Sequence, residues 1–491
     1  MSQQEANAEA AEPELERPEL ERRARRSSLF TVGGYGLGNV LRLASNVLLA
    51  DLLFPEVFGE MVLVSLLLLG IGMFSDVGIG PCLVQSRRGR ESAFAHTAFT
   101  IQLLRGITIG IVGYLLAPWF VDYYEAPTLL WPVRAACLTA VLQGFNSTKW
   151  FTVTRDLALG RKTAVELVAQ AASITVCVVW ASLSPNIWAL VAGNVAQCAV
   201  IALLSHVALP GAHDRLRIES AALRELMHFG RWVFVSTCIT FLALQSDRLI
   251  LGKLVDSIGM LGVYGMAGTI ATIPTVLSGH LSGNVQYPLL AAYDRSDSAG
   301  LEQAFLRQRA TLLVGLGAML LAVFWFAPLF FRTLYRADYH DAGWIAQWLC
   351  LAGWFALLKQ TADRVLLVRG ATRALAAVNL AAFVSKAGGT LIGFHVAGFH
   401  GFLVGLVAGA AIEQLVVQWV VRGVGISVVR QDALASLAAL VVCVAGWRIQ
   451  LVAHTELRPL PGYALEIGFG ALLLGLAVAQ GVQRYKKVGL A

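Results

Sequence analysis

Apolar stretches of about twenty residues recur along almost the whole chain, separated by short polar segments rich in Arg, Lys, Gly and Pro. Roughly twenty apolar residues let a helix cross a bilayer, whereas a membrane barrel would show alternating strands of about ten. The pattern predicts an all-α integral membrane protein of about fourteen transmembrane helices. They fall near residues 30–53, 58–80, 94–117, 129–149, 163–182, 187–209, 226–247, 258–290, 308–331, 342–362, 374–394, 399–421, 433–451 and 463–482. The eighth is long and contains Pro274 and Pro288, which predicts a kink or a break. Residues 1–28, rich in Glu and Ala and ending in Arg22-Arg23-Ala24-Arg25-Arg26-Ser27-Ser28, read as a disordered tail with a basic membrane-proximal anchor.

Composition agrees with this picture. The chain is 57% hydrophobic and 14% charged, with a mean hydropathy of +0.66, against about 25% charged in a soluble domain. No segment between spans is long enough for a separate catalytic domain. A net charge of +7 would point to nucleic acid in a soluble protein, but its distribution gives another explanation. Of the 38 Lys and Arg, 27 fall in the tail and in loops on the N-terminal side, and six on the opposite side. The positive-inside rule then places both termini in the cytoplasm. The Arg-poor side carries Trp119-Phe120-Val121-Asp122-Tyr123-Tyr124-Glu125, the aromatic, acidic composition of an interfacial belt. Seven scattered cysteines without a CxxC pair read as free, buried small hydrophobes rather than a metal site.

A weak internal repeat runs at an offset of 200 to 216 residues. Leu116-Ala117-Pro118-Trp119-Phe120 matches Phe326-Ala327-Pro328-Leu329-Phe330, Gly160 matches Gly370, and Val191-Ala192-Gly193 matches Val407-Ala408-Gly409. Gly34, Leu52 and Gly59 line up with Gly230, Leu254 and Gly262. Six spans per unit is an even number, so the units are parallel repeats about an axis along the membrane normal, with the substrate path between them. The expected divisions are a tail (1–28), an N-terminal six-helix lobe (29–215), a C-terminal six-helix lobe (216–428), and two accessory helices with a short cytoplasmic tail (429–491).

Three motifs carry a resemblance. They are Asp76-Val77-Gly78-Ile79-Gly80 with Leu83-Val84-Gln85; Ser246-Asp247-Arg248-Leu249-Ile250-Leu251-Gly252 with Leu261-Gly262-Val263-Tyr264; and Gln286-Tyr287-Pro288-Leu289-Leu290. Over residues 28 to 430 the chain resembles the polysaccharide-exporter branch of the MOP superfamily, the Wzx-type flippases of lipid-linked oligosaccharides. The resemblance implies two six-helix lobes forming a V around a cavity that opens alternately to either side. It also implies that an undecaprenyl-diphosphate-linked repeat unit is moved to the periplasmic leaflet for capsule, O-antigen or exopolysaccharide assembly. Membrane lipids, a polymerase and export machinery are the partners to expect, and nucleic acid is not.

Five cations fall more than a turn inside predicted spans: Arg42, Arg105, Arg134, Arg231 and Lys386. A diphosphate headgroup crossing an apolar layer needs positive charge on its route, and Arg offers permanently charged, bidentate contacts. Asn39, Arg42, Ser45 and Asn46 share one polar stripe of the first span; the bland alternative is that Arg42 pairs with an acid such as Asp76 for packing. Arg231 lies near a span end, where an interfacial position is as good a reading as a cavity one. Arg105 and Arg134 lie deeper, with an ion pair to Glu166 as the structural alternative, and Lys386 sits beside Gly388-Gly389 as either a cavity group or a packing site. Asp76, Asp247, Glu166 and Glu413 are the acids available for coupling or gating; an interfacial or capping role competes for Asp76 and Asp247. No cofactor is expected beyond a coupling Na+ or H+, for which His96 and His280 are further candidates.

Enzyme signatures are missing. The sequence has no P-loop, HExxH or GxSxG motif, and so no recognisable ATP-binding loop. A cation-coupled exporter of small molecules would favour acids in the cavity, whereas the charges singled out here are five cations and four acids. A membrane glycosyltransferase or ligase would show a long polar loop on the outer side, and the chain has none.

Overall fold

The computed structural model describes residues 17–74, 79–85, 88, 91–155, 159–211, 213–287, 290 and 301–456. Among these, every regular element is helical. Seven helices are long and apolar enough to cross a membrane, or eight if one bent pair counts as a span. Large apolar side chains are left on the outside, including Leu183 at 82% and Val396 at 80% exposure, as a lipid-facing surface requires.

In chain order the first half contains α1 (Arg17–Leu52), α2 (Pro55–Phe74), α3 (Ile79–Gln85), α4 (Ser92–Tyr123), α5 (Leu130–Ala136), α6 (Leu138–Gly144), α7 (Lys149–Arg155), α8 (Leu159–Leu183) and α9 (Ile187–Val207). The second half contains α10 (Ser220–Leu254), α11 (Ile258–Ala271), α12 (Ile273–Leu281), α13 (Leu301–Leu334), α14 (Ala342–Ala362), α15 (Arg364–Val368) and α16 (Thr372–Gly423). It is followed by α17 (Val429–Glu456). Thirteen of the fourteen expected spans have helical counterparts, and the last, at 463–482, lies outside the described residues.

Several boundaries differ from expectation for identifiable reasons. Helix α1 starts at Arg17, inside the stretch read as a disordered tail. Glu19 and Glu21 precede Arg23 and Arg25 by four residues, a spacing that supports a helix. The expected fourth span is broken into α5 and α6 by a turn at Cys137. At the end of α6, the Gln102 amide donates to the carbonyls of Gln143, Gly144 and Asn146, satisfying acceptors a helix end leaves open. The eighth span is bent by 45° between α11 and α12, with Pro274 in the first turn of α12; Pro288 lies outside the described residues. Helix α16 is two helices joined at Ala397 and Gly398. Gly398 has φ +59°, which Gly adopts without steric cost. Its limbs touch through Gly389 on Gly405 and Gly393 on Gly401, where a Cβ would sit 1.9 to 2.4 Å from a backbone oxygen.

The pairing of helices follows the same plan in both halves. In the first, α1 packs on α8, α4 on α6 and α8 on α9; in the second, α10 packs on α16, α13 on α14 and the limbs of α16 on each other. The halves meet where α2 packs on α11. There a Cβ on Gly59 would lie 2.0 Å from the Ile258 carbonyl oxygen, and one on Gly262 would lie 1.9 Å from that of Pro55. These are the two glycines that the repeat aligns, and they face each other across the junction.

Candidate substrate cavity

The close packing of α1 on α8 starts from glycine. A Cβ at Gly34 would lie 2.0 Å from Thr163 Cγ2, and the Gln170 amide donates to the Gly38 carbonyl at 2.8 Å. The same two helices line a cavity of about 690 Å³. Its α1 wall carries Asn39, Arg42 and Ser45; its α8 wall carries Lys162, Glu166, Gln170 and Ser173; Gln197 and His280 close it. The α8 residues fall at i, i+4, i+8 and i+11, one face of a helix. Arg42 Nη2 donates to Asn39 Oδ1 at 2.5 Å, and Lys162 Nζ donates to Thr154 Oγ1 at 3.3 Å while lying 4.9 Å from the Trp150 ring centre. Two basic side chains, Arg42 and Lys162, and one acid, Glu166, therefore share a chamber inside an apolar bundle.

Two further cavities adjoin it. Asn46, next to Ser45 on α1, lines a space of about 260 Å³ with Ser65, Leu69, Gln245, Arg248 and Gly262. Ser65 and Leu69 also border a third, of about 580 Å³, which contains Arg105.

The halves are latched at the Arg-poor end. The Tyr339 hydroxyl donates to the Leu53 carbonyl at 2.8 Å, and Arg336 lies 4.9 Å from the Phe54 ring centre. Lys253 Nζ donates to the Tyr123 carbonyl at 2.8 Å and to Glu125 at 2.7 Å, which holds the Glu125 carboxyl below its usual range. Tyr124 donates to the Leu249 carbonyl at 3.3 Å. The loops expected together on one side of the membrane are thus together in space.

A family model described as polysaccharide biosynthesis protein matches residues 48–343. The chain belongs to the polysaccharide biosynthesis protein family. The teichuronic acid biosynthesis protein TuaB of Bacillus subtilis (strain 168) is 19% identical over 335 residues, covering 68% of this chain and 66% of that relative's length. Among solved structures, the lipid II flippase MurJ in an inward closed conformation superposes with a TM-score of 0.69 at 12% identity, covering 94% of this chain and all of that one. An inward-facing multidrug resistance MATE family transporter of the MOP superfamily gives 0.60 at 14% identity, covering 82% of this chain and 95% of that one. At such identities the likeness shows the fold: this polysaccharide biosynthesis family member is a multi-pass membrane protein built like the MOP-superfamily transporters.

Within this family member, Arg42 and Glu166 line the largest of these cavities, Asn46 the second and Arg105 the third. Asn46 separates from Ser45 because neighbouring residues on a helix point about 100° apart. Arg105 does not pair with Glu166, which is on the α8 wall of another cavity; one of its contacts is to the Gly72 carbonyl at 2.8 Å. Arg134 lies elsewhere. It stacks over Tyr114 at 4.4 Å and Trp131 at 5.1 Å, two exposed rings, and lines none of the three cavities. Lys386 lines none of the three cavities either: its ammonium sits 2.8 Å from Glu413, which also takes Lys359 at 3.2 Å, and Glu413 is only 2% exposed, so the three charges join α14 to the limbs of α16. Asp247 accepts from the buried Tyr264 hydroxyl at 2.5 Å, tying α10 to α11. Asp76 and the Arg231 side chain lie outside the described residues.

Three cavity residues were not singled out for this site by sequence reasoning. Lys162 follows Arg161 after a glycine and reads as a loop charge until the four-residue spacing to Glu166 and Gln170 is noticed. Arg248 looked like an outer-loop residue, but α10 runs on to Leu254 and carries it into the second cavity with Gln245, whose Oε1 it meets at 3.1 Å. Gln170 has no charge to draw attention to it.

Proposed function

We propose that the protein is a flippase that moves undecaprenyl-diphosphate-linked oligosaccharide from the cytoplasmic to the periplasmic leaflet of the bacterial cytoplasmic membrane. The observation that carries this reading is the cavity between α1 and α8, where Arg42 and Lys162 face a polar interior within the membrane-embedded first half. Charged side chains lining a cavity of an apolar helix bundle mark substrate paths, and two cations suit a diphosphate better than an organic cation. Both termini are cytoplasmic in this reading, supported by the bias of Lys and Arg towards the N-terminal side. The latch at the Arg-poor end then closes the periplasmic side, and its release, with rocking of the halves about the Gly59–Gly262 contact, exposes the cavity outward.

Deleting the gene in a strain with no second family member tests this in cells. Surface polysaccharide is lost, and lipid-linked saccharide accumulates where a membrane-impermeant periodate reagent cannot reach it. Normal polymer with no trapped intermediate contradicts the proposal.

A further inference from the structure

The third cavity has a lining of a different kind. Its polar wall is mostly amides, from Gln143, Asn146 and Asn194, beside Arg105 and the rings of Trp150 and Phe151. At about 580 Å³ it falls within the roughly 300–1,000 Å³ of small-molecule sites. With one cation, Arg105, against Arg42 and Lys162 in the first cavity, this chamber suits a diphosphate less well. Its amides and rings suit a pyranose ring: an amide offers a donor and an acceptor to neighbouring hydroxyls, and an aromatic ring covers the apolar face of the sugar.

What points to a saccharide there, besides the lining, is the shared wall. Trp150 lines this chamber, and its ring also carries the Lys162 ammonium of the cationic cavity at 4.9 Å. A saccharide held here would therefore sit next to a diphosphate held by Arg42 and Lys162, as their covalent linkage demands.

We propose that this chamber is a saccharide subsite, in which Gln143, Asn146 and Asn194 read the hydroxyls of a sugar ring stacked on Trp150. The inference rests on the flippase reading and adds to it that the first half selects the glycan as well as holding the phosphates.

The test compares two probes by native mass spectrometry of the full chain in detergent. One is undecaprenyl diphosphate; the other is the lipid-linked saccharide purified from the deletion strain. Wild-type protein binds the saccharide-bearing lipid about tenfold or more tightly than the bare diphosphate. Gln143→Ala and Asn194→Ala each remove most of that difference and leave the bare diphosphate unchanged, which also shows that the variants are folded. Equal affinity of wild-type protein for the two probes overturns the subsite while the flippase reading stands. So does an equal loss for both probes in the variants. Failure to bind either probe, or absence of an accumulated intermediate, overturns both.

Discussion

Changing Arg42 and Lys162 together to Gln is expected to abolish polysaccharide export while the protein stays folded in the membrane. Each side chain faces the cavity between α1 and α8 rather than the apolar core, so neutralising them leaves no hole and orphans no buried partner. The loss falls on the anionic substrate. Single charged contacts of this kind change affinity on the order of tenfold to a hundredfold, and losing both leaves the cavity wall without its two basic groups while Glu166 stays. The same logic gives Glu166→Gln the opposite sign: removing the one acid raises apparent affinity for a diphosphate lipid. Polymer yield in the complemented deletion strain, normalised to the amount of protein in the membrane, reads both effects. A double variant with full export, or a Glu166→Gln variant that loses export alone, removes this cavity from the phosphate path.

Arg309→Met is expected to be the most destabilising of the single substitutions considered. Arg309 is fully buried in α13 and meets Asp432 of α17 at 2.5 Å. It also donates to the Leu358 carbonyl at 2.9 Å, to Gln431 at 2.9 Å and to Thr361 at 3.2 Å. Asp432 in turn accepts from Gln414 at 2.6 Å and Gln418 at 2.7 Å. The network joins α13, α14, α16 and α17 around one buried charge pair. Removing the cation leaves a buried carboxylate without its counter-ion, which costs about 3–5 kcal/mol. Arg309→Met together with Asp432→Leu recovers part of this, because no lone charge is then buried. Thermal unfolding in detergent measures it; a single variant as stable as wild type contradicts the assigned role.

The fold was largely legible because bilayer crossing imposes a strong periodic signal, and the short polar segments fell where helices end. Registers between helices were not legible. Lys386 and Glu413 could both be recognised as charges in spans, but their pairing depends on how the limbs of α16 slide together. That register is fixed by glycines at 389, 393, 401 and 405, whose spacing was not read as a packing surface. Arg134 stacks on Tyr114, twenty residues away in sequence and on another helix, and no local pattern shows it. Arg309 drew no attention because it is only the second residue of the expected span, whereas α13 begins at Leu301 and carries it two turns into the helix. Arg42 was legible for the opposite reason: a cation on a polar stripe in an otherwise apolar helix has few places to go.

Movement of a diphosphate-linked saccharide across a bilayer can be followed in proteoliposomes. Purified protein is reconstituted with a fluorescent undecaprenyl-diphosphate saccharide in both leaflets, and a membrane-impermeant quencher then reports how much of the lipid reaches the outer face. With wild-type protein the protected inner-leaflet fraction falls with time, and with the Arg42→Gln, Lys162→Gln variant it stays near that of protein-free vesicles. Wild-type vesicles that keep the inner-leaflet lipid fully protected would contradict the account.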